Sequence, residues 1–214
     1  MKHNPFLSTV IVTTLLTFLV ACGSSDDDSD GSDNVTDGTV TDGSGTDGSD
    51  ASIDCGTAVA SNFMESESGD LSGEINAPTP LEVGPGANTV TASTASGDLD
   101  YVTFTVGPCD VLTQLTVESF TPADTGDSVA FLAIGSGSTF AAPFEGGATD
   151  VSALLGFSHF GFADIGQDIL PRVGTGAGTL GFTTPLPAGD YTMWINQTGP
   201  ETQAALTLLV ERVM

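Results

Sequence analysis

Basic side chains are scarce in this sequence. Its 214 residues include only 3 lysines and arginines and 2 histidines, against 28 aspartates and glutamates, and the net charge is −25. A chain this acidic does not bind nucleic acid or anionic lipid through electrostatic attraction. Its charge favours cations, calcium among them, and cationic partners. The simplest interpretation of the charge is solubility.

Long apolar runs are also missing, apart from one near the N-terminus. Residues 7–21 are mostly apolar and follow Lys2. The run is shorter than the about 20 apolar residues of a membrane span, and its length is typical of a signal-peptide core. It ends in Leu19-Val20-Ala21-Cys22, which resembles the lipobox of bacterial lipoproteins. The resemblance implies that residues 1–21 are a signal peptide and that Cys22 carries a lipid. A plain secretory signal or an N-terminal membrane helix is the alternative.

The residue after the cysteine bears on the destination. It is Gly23, whereas an aspartate at this position marks lipoproteins retained in the inner membrane. The lipoprotein resemblance therefore implies an anchor in the outer membrane, with the protein facing the periplasm or the cell exterior. The membrane contact would be made through the lipid alone.

Cysteine is scarce as well, with three in the chain. If Cys22 is lipidated, Cys55 and Cys109 remain, an even pair in an oxidising compartment. We expect them to form a disulfide, and two buried thiols are the alternative. A zinc-type site is not expected, because His159 is the only histidine after the signal peptide.

Low-complexity sequence separates the cysteine from the rest of the chain. Residues 23–52 consist almost wholly of Asp, Ser, Gly, Thr and Asn, and contain only Val35, Val40 and Ala51 as apolar residues. Such a composition cannot form a core. Residues 22–52 are therefore predicted to be a disordered acidic tether, which reaches roughly 30 Å as a coil.

From residue 53 onward the composition changes to short apolar runs separated by Gly, Pro and Asp. Runs of this length, rich in Val, Thr and Phe, predict β-strands. The six clearest candidates are residues 88–94, 101–106, 111–120, 129–134, 191–196 and 204–212. Long amphipathic helical patterns are absent. Residues 53–214 are therefore predicted to be one all-β domain, a jelly-roll-like antiparallel sandwich with the wholly apolar run 129–134 in a central strand.

Two segments carry a further resemblance. Asp98-Leu99-Asp100-Tyr101-Val102-Thr103-Phe104 is similar to the entry strand of bacterial pre-peptidase C-terminal domains, and Leu186-Pro187-Ala188-Gly189-Asp190-Tyr191 is similar to their penultimate strand. The resemblance implies a sandwich appended to secreted enzymes, with calcium binding or polymer contact in some members. Here no peptidase is attached, and residues 135–182 are longer than a usual connection, which predicts an insertion.

Asp98 and Asp100 are the candidate calcium ligands, because alternate residues of a strand share one face. Two solvated acids at a strand entrance are the alternative interpretation. No other cofactor is predicted.

The predicted insertion contains the aromatic segment from Phe157 to Phe162. Phe157, His159, Phe160 and Phe162 are candidates for a binding loop that contacts a polysaccharide or an envelope protein. The alternative is that these phenylalanines close the end of the core.

The neighbouring Ser158 and His159 do not predict a hydrolase. The motif of a nucleophile elbow would require glycine where Phe160 stands, and adjacent residues of a strand point to opposite faces. The sequence predicts a non-enzymatic envelope lipoprotein that presents a binding module. A hydrolase, or an accessory subunit acting on extracellular polymer, is the alternative.

Overall fold

The computed structural model describes residues 54–122, 128–141, 144–145, 148–197, 199 and 201–213. All of them belong to one compact unit, Ser49–Met214. The predicted signal peptide, Cys22, the tether and the boundary at residue 53 lie outside the described residues. Within the described part, no helix has the length and apolar character needed to cross a bilayer.

Strands dominate the described residues. The strands are β1 (Asn62–Met64), β2 (Thr79–Pro80), β3 (Gly86–Thr94), β4 (Leu99–Val106), β5 (Asp110–Pro122), β6 (Val129–Ser136), β7 (Phe144–Glu145), β8 (Ala148–Thr149), β9 (Gly156–Gly161), β10 (Gly189–Asn196) and β11 (Thr202–Arg212). The α-helices are α1 (Glu65–Ser68) and α2 (Leu170–Val173), and Val151–Ala153 and Phe162–Asp164 are 3-10 turns. The six predicted strands correspond to β3, β4, β5, β6, β10 and β11.

Two sheets pack face to face and confirm the predicted all-β sandwich. The first has four strands in the order β1-β3-β11-β5, and the second has five in the order β2-β4-β10-β6-β9. The strands β7 and β8 form a separate pair. The chain passes from one sheet to the other between β3 and β4, between β4 and β5, and between β5 and β6, as in jelly rolls.

The strand directions are antiparallel in the body of both sheets. β11 pairs antiparallel with β3 and β5, and β10 pairs antiparallel with β4 and β6. Two short edge strands differ from this pattern, because β1 lies parallel to β3 and β2 lies parallel to β4. Each sheet therefore has, at one of its edges, a short strand from the segment before β3.

Alternate side chains of each strand point between the two sheets and form the main core. In β4, Val102, Phe104 and Val106 point between the sheets and are at most 2% exposed, while Thr105 faces solvent. In β11, alternate residues from Ala204 to Val210 fill the opposite face. Burial of alternate apolar side chains on two facing sheets is the main stabilising interaction of a sandwich.

The five-stranded sheet is covered on its outer face too. A second cluster there is formed by buried side chains from β4, β6, β10 and the segment after β6, which are Tyr101, Ala133, Phe140, Leu154 and Trp194. The ring of Trp194 lies 4.9 Å from that of Phe131 and 5.7 Å from that of Tyr101. This explains the continuous apolar run of β6, which lies between β10 and β9 and has both faces covered. The prediction of a central strand is confirmed.

The predicted insertion extends the five-stranded sheet. It supplies β9, which pairs antiparallel with β6, and it packs α2 over the new strand. Gly156 is required at the start of β9, because a Cβ atom there would lie 2.1 Å from the carbonyl oxygen of Val173.

A disulfide joins Cys55 to Cys109, as the sequence predicted. Arg212, at the end of β11, donates to the carbonyl oxygen of Cys55 at 3.2 Å and to the carboxylate of Asp110 at 3.1 Å. The N–H of Val213 donates to the carbonyl oxygen of Cys109 at 2.8 Å. The start and the end of the described chain are thus fastened at one end of the sandwich.

Replacing Cys55 and Cys109 together by serine should destabilise the mature protein. The bond closes a loop with a sequence separation of 54. Loss of this closure increases the entropy of the unfolded chain, which lowers the free energy of unfolding by about 4 kcal/mol. Chemical denaturation measures the change. Reductant should lower the midpoint of the wild type but not that of the double variant, and equal midpoints for both proteins without reductant would refute the expectation.

Candidate functional site

Three carboxylates meet where the segment before β3 crosses the start of β4. They belong to Glu65 in α1, to Asp70 in the turn that follows, and to Asp100 near the start of β4. One oxygen of each lies within 4.8 Å of the others. We call these three residues the acidic cluster.

Backbone N–H groups fix the first of these carboxylates. One oxygen of Glu65 accepts from the N–H of Leu71 at 3.1 Å, and the other accepts from the N–H of Ser93 in β3 at 2.6 Å. The side chain of Leu71 is 2% exposed and belongs to the main core. Glu65 is therefore held between its own turn and the neighbouring sheet, with its carboxylate directed to the cluster.

Asp100 has the most unusual environment in the described chain. It shares the inward face of β4 with Val102, two residues later, and it is fully buried at the end of the core. Neither carboxylate oxygen has a hydrogen-bond partner. Burial of a charged group without a partner is strongly unfavourable, so Asp100 requires either a proton or a bound cation.

Neighbouring charges make this requirement stronger. Burial, followed by the charges of Glu65, Asp98 and Asp70, raises the pKa of Asp100 from 3.8 to about 8. Burial also raises the pKa of Glu65, while its bonds to Leu71 and Ser93 oppose this, and the charges of Asp70 and Asp98 add to it. All these shifts have the sign expected of acids crowded together out of water.

Both arginines of the chain are paired elsewhere. Arg172 pairs with Asp164 at 2.8 Å, and Arg212 pairs with Asp110 at 3.1 Å. Lys2, the remaining basic residue apart from the histidines, lies outside the described residues. Neither arginine therefore neutralises the acidic cluster.

Asp98, the other predicted ligand, lies in the turn before β4 and is half-buried. Its pKa is raised by burial and by the charges of Asp70 and Glu201. It therefore adds negative charge near the cluster without belonging to the group of three. Sequence reasoning missed Glu65 and Asp70, because they lie well upstream of Asp100 and only the fold brings them beside it.

The spacing of the cluster suits a calcium ion. Calcium is bound by oxygens at about 2.3–2.6 Å, so two oxygens on the same ion lie at most roughly 5 Å apart. The 4.8 Å separation within the cluster meets this limit. Calcium takes 6–8 oxygen ligands, and three carboxylates can supply up to six.

The four aromatic candidates take different positions. Phe160 is fully buried in the main core, where its ring meets Phe120 edge-on at 5.7 Å. Phe162 is 72% exposed in the 3-10 turn after β9. Phe157 is half-buried and stacks on Phe131 with ring centroids 5.5 Å apart. His159 is exposed and meets Phe131 edge-on at the same distance. The core interpretation therefore holds for Phe160, whereas Phe162 and His159 are exposed.

Ser158 and His159 point to opposite faces of β9. Ser158 is 7% exposed, and its hydroxyl donates at 3.0 Å to the backbone carbonyl of His159. The imidazole lies on the solvent side, beside Phe131. A serine activated by histidine requires its hydroxyl to donate to the imidazole, and these two residues do not have that geometry.

A cleft of about 480 Å³ lies beside the disulfide, between residues 80–83 and β4. Two exposed groups in its wall bond to each other, since the hydroxyl of Thr105 donates to the carboxylate of Asp190 at 2.6 Å. The buried carboxylate of Asp110, also in the wall, is bonded to Arg212. These three side chains of the wall are therefore hydrogen-bonded within the chain.

Comparisons with protein-family models, with curated proteins and with solved structures found no match. The resemblances to lipoproteins and to pre-peptidase C-terminal domains therefore remain predictions from sequence motifs.

Because of the acidic cluster, we expect the stability of the folded protein to decrease as the pH rises when divalent cations are absent. Asp100 holds its proton up to about pH 8 in the folded protein, but only to about pH 3.8 when unfolded. The free energy of unfolding should therefore fall as the pH rises between these values, by at most about 1.4 kcal/mol per pH unit for one group. Denaturation in chelator across this pH range measures the slope.

Asp100→Asn should remove most of this slope and stabilise the protein at pH 8, because the amide needs no proton. Glu118→Gln, an exposed acid on β5, is the matched control and should keep the slope. A wild-type stability that rises from pH 5 to pH 8 in chelator would contradict this account of Asp100.

Proposed function

We propose that this protein is a non-enzymatic, calcium-binding β-sandwich module, held at the outer membrane by a lipid on Cys22 and facing the periplasm or cell exterior. The lipobox-like Leu19-Val20-Ala21-Cys22 supports the anchor, and the acidic composition of residues 23–52 supports a flexible tether. The sandwich is the part of the chain that the tether would present. The opposed orientation of Ser158 and His159 favours binding over hydrolysis.

The environment of Asp100 is the observation that supports the proposed calcium site most strongly. Its buried carboxylate has no hydrogen-bond partner and lies within 4.8 Å of two further carboxylates. Acidic residues on a surface are common without a bound ion, but a buried and unpartnered one is expensive. A calcium ion would supply the missing partner for both oxygens.

Calcium should raise the melting temperature of the mature protein at pH 7.5. Extracellular calcium modules have dissociation constants of about 10⁻⁴ to 10⁻³ M. Addition of ten times the dissociation constant stabilises the folded state by about 1.4 kcal/mol. Calorimetric titration with calcium chloride gives the affinity, and a thermal melt at the same concentrations gives the shift.

Asp100→Asn should abolish both the binding heat and the melting shift, whereas Glu118→Gln should retain both. Magnesium is the control for ionic strength, because it demands stricter octahedral geometry and gives up water less readily. No binding heat up to 10 mM calcium, an order of magnitude above the weak end of the range, would refute the calcium site.

A specific observation also favours contact with a polysaccharide. Phe131 and Phe157 are half-buried and stacked on the outer face of the five-stranded sheet, and the exposed His159 lies beside Phe131. Aromatic faces pack on the apolar faces of sugar rings, and imidazole can bond to hydroxyls. The surrounding domain is acidic, which favours neutral over anionic polymers. We propose this surface for a neutral envelope or extracellular glycan.

Phe157→Ala should weaken retention of the mature protein on such a polymer by about tenfold, because it removes one ring of the stacked pair. Pull-down on insoluble cellulose and chitin measures the bound fraction, and a thermal melt checks that the variant is folded. Phe162→Ala is the matched control, since this exposed ring lies outside β9. Equal retention by the two variants, or none by the wild type, would count against the glycan surface.

A further inference from the structure

Residues 62–80, here called the strap, supply an edge strand to each sheet. The residues on either side of the strap are bonded to the sandwich. Before them, Cys55 is bonded to Cys109. The buried side chain of Asn88 accepts the N–H of Ser61 at 3.1 Å and that of Gly84 at 3.0 Å, and it donates to the carbonyl of Leu208 at 3.1 Å. Both flanks of the strap are thus fixed to the sandwich.

The strap itself is held weakly between these points. Leu71 is its only buried residue. β1 offers three residues of parallel pairing, and β2 offers two. Apart from these, the partly buried Phe63 and Ile75 pack against the two core clusters, and separate hydrogen bonds connect the strap to the body, among them Tyr101 N–H to the carbonyl of Ser72 at 2.8 Å. A segment with so few buried apolar contacts opens at low free energy compared with the core.

The acidic cluster spans the junction between strap and sandwich. Glu65 and Asp70 lie on the strap, whereas Asp100 lies on β4. Without a cation, no hydrogen bond of the Asp100 carboxylate joins it to the strap, because neither of its oxygens has a partner. An ion bound by all three carboxylates would instead connect the strap to β4 at this point.

We propose that calcium at the acidic cluster is the latch of the strap: the bound ion holds the strap against β4. The calcium concentration then controls local opening of this edge of the sandwich. The inference rests on the calcium site proposed above and adds what that site regulates. Because the flanks are pinned by the disulfide and by Asn88, opening frees residues 62–80 without detaching them. It uncovers the backbone of β3 at Thr89–Thr91 and of β4 at Val102 and Thr103.

Hydrogen exchange of the full mature protein at pH 7.5 tests the latch. The amides of Tyr101 and Leu81 report opening directly, because they donate to the carbonyls of Ser72 and Thr103 across the junction. Calcium at ten times its dissociation constant should slow their exchange about tenfold relative to chelator, since it binds only the closed state. The amide of Leu206 in the middle of β11 is the internal reference. In chelator it should exchange far more slowly than Tyr101 and Leu81, because its exposure requires opening of the core.

Asp70→Asn is the variant of choice, because this residue is exposed and its replacement leaves the core intact. It should weaken calcium binding and remove the calcium-dependent slowing at Tyr101 and Leu81. Glu67→Gln makes the same change of charge on an exposed residue of α1 outside the cluster. It should preserve both effects.

The possible failures are distinguishable when calorimetry accompanies the exchange measurement. Binding heat without any change at Tyr101 and Leu81 would overturn the latch and leave the calcium site standing. Exchange of Tyr101 and Leu81 as slow as that of Leu206 in chelator would also overturn it, because the strap would then open only together with the whole domain. Absence of binding heat up to 10 mM calcium, far above the affinity range of extracellular modules of about 10⁻⁴ to 10⁻³ M, would overturn both proposals.

Discussion

Apolar side chains from the two sheets meet between them, and this contact determines where every charged group of the domain can lie. Each strand that contributes to it gives one face to the core, as Val102, Phe104 and Val106 do in β4. Asp100 stands on that same face at the end of the strand, so the packing that buries its neighbours buries its carboxylate as well. The unusual electrostatics of the acidic cluster are thus a consequence of the strand's register.

The segment before β3 completes both sheets without contributing much to the core. Its short parallel strands, and the single buried residue of the strap, Leu71, contrast with the long antiparallel pairing of β11 with β3 and β5. Covalent closure at Cys55 and the bonds of Asn88 hold its flanks. Because few of its side chains are buried, this segment should open at a lower free energy than the core, and it carries Glu65 and Asp70. A site at such a junction can respond to a ligand through local opening, while the core stays folded.

Strand positions were predictable, because alternation and apolar runs depend on local order. The six predicted strands are present, and the apolar run of β6 is explained by cover on both faces of its sheet. The strands β1, β2, β7, β8 and β9 were not predicted. Four of them are only two or three residues long, and the Gly-rich sequence of β9 forms a strand through its pairing with β6. The burial of Phe160 and the partial exposure of Phe157 also depend on which face of β9 meets the core.

The sequence by itself determined the acidic charge, the fold class, the pairing of Cys55 with Cys109 and a candidate carboxylate at Asp100, since these follow from composition, local pattern and counting. Only the tertiary structure decided that Glu65 and Asp70 are the neighbours of Asp100, while Asp98 stays in the turn. The reason is physical: contacts between residues distant along the chain depend on the order and register of strands, and those are set by packing of the whole sandwich rather than by the residues that meet.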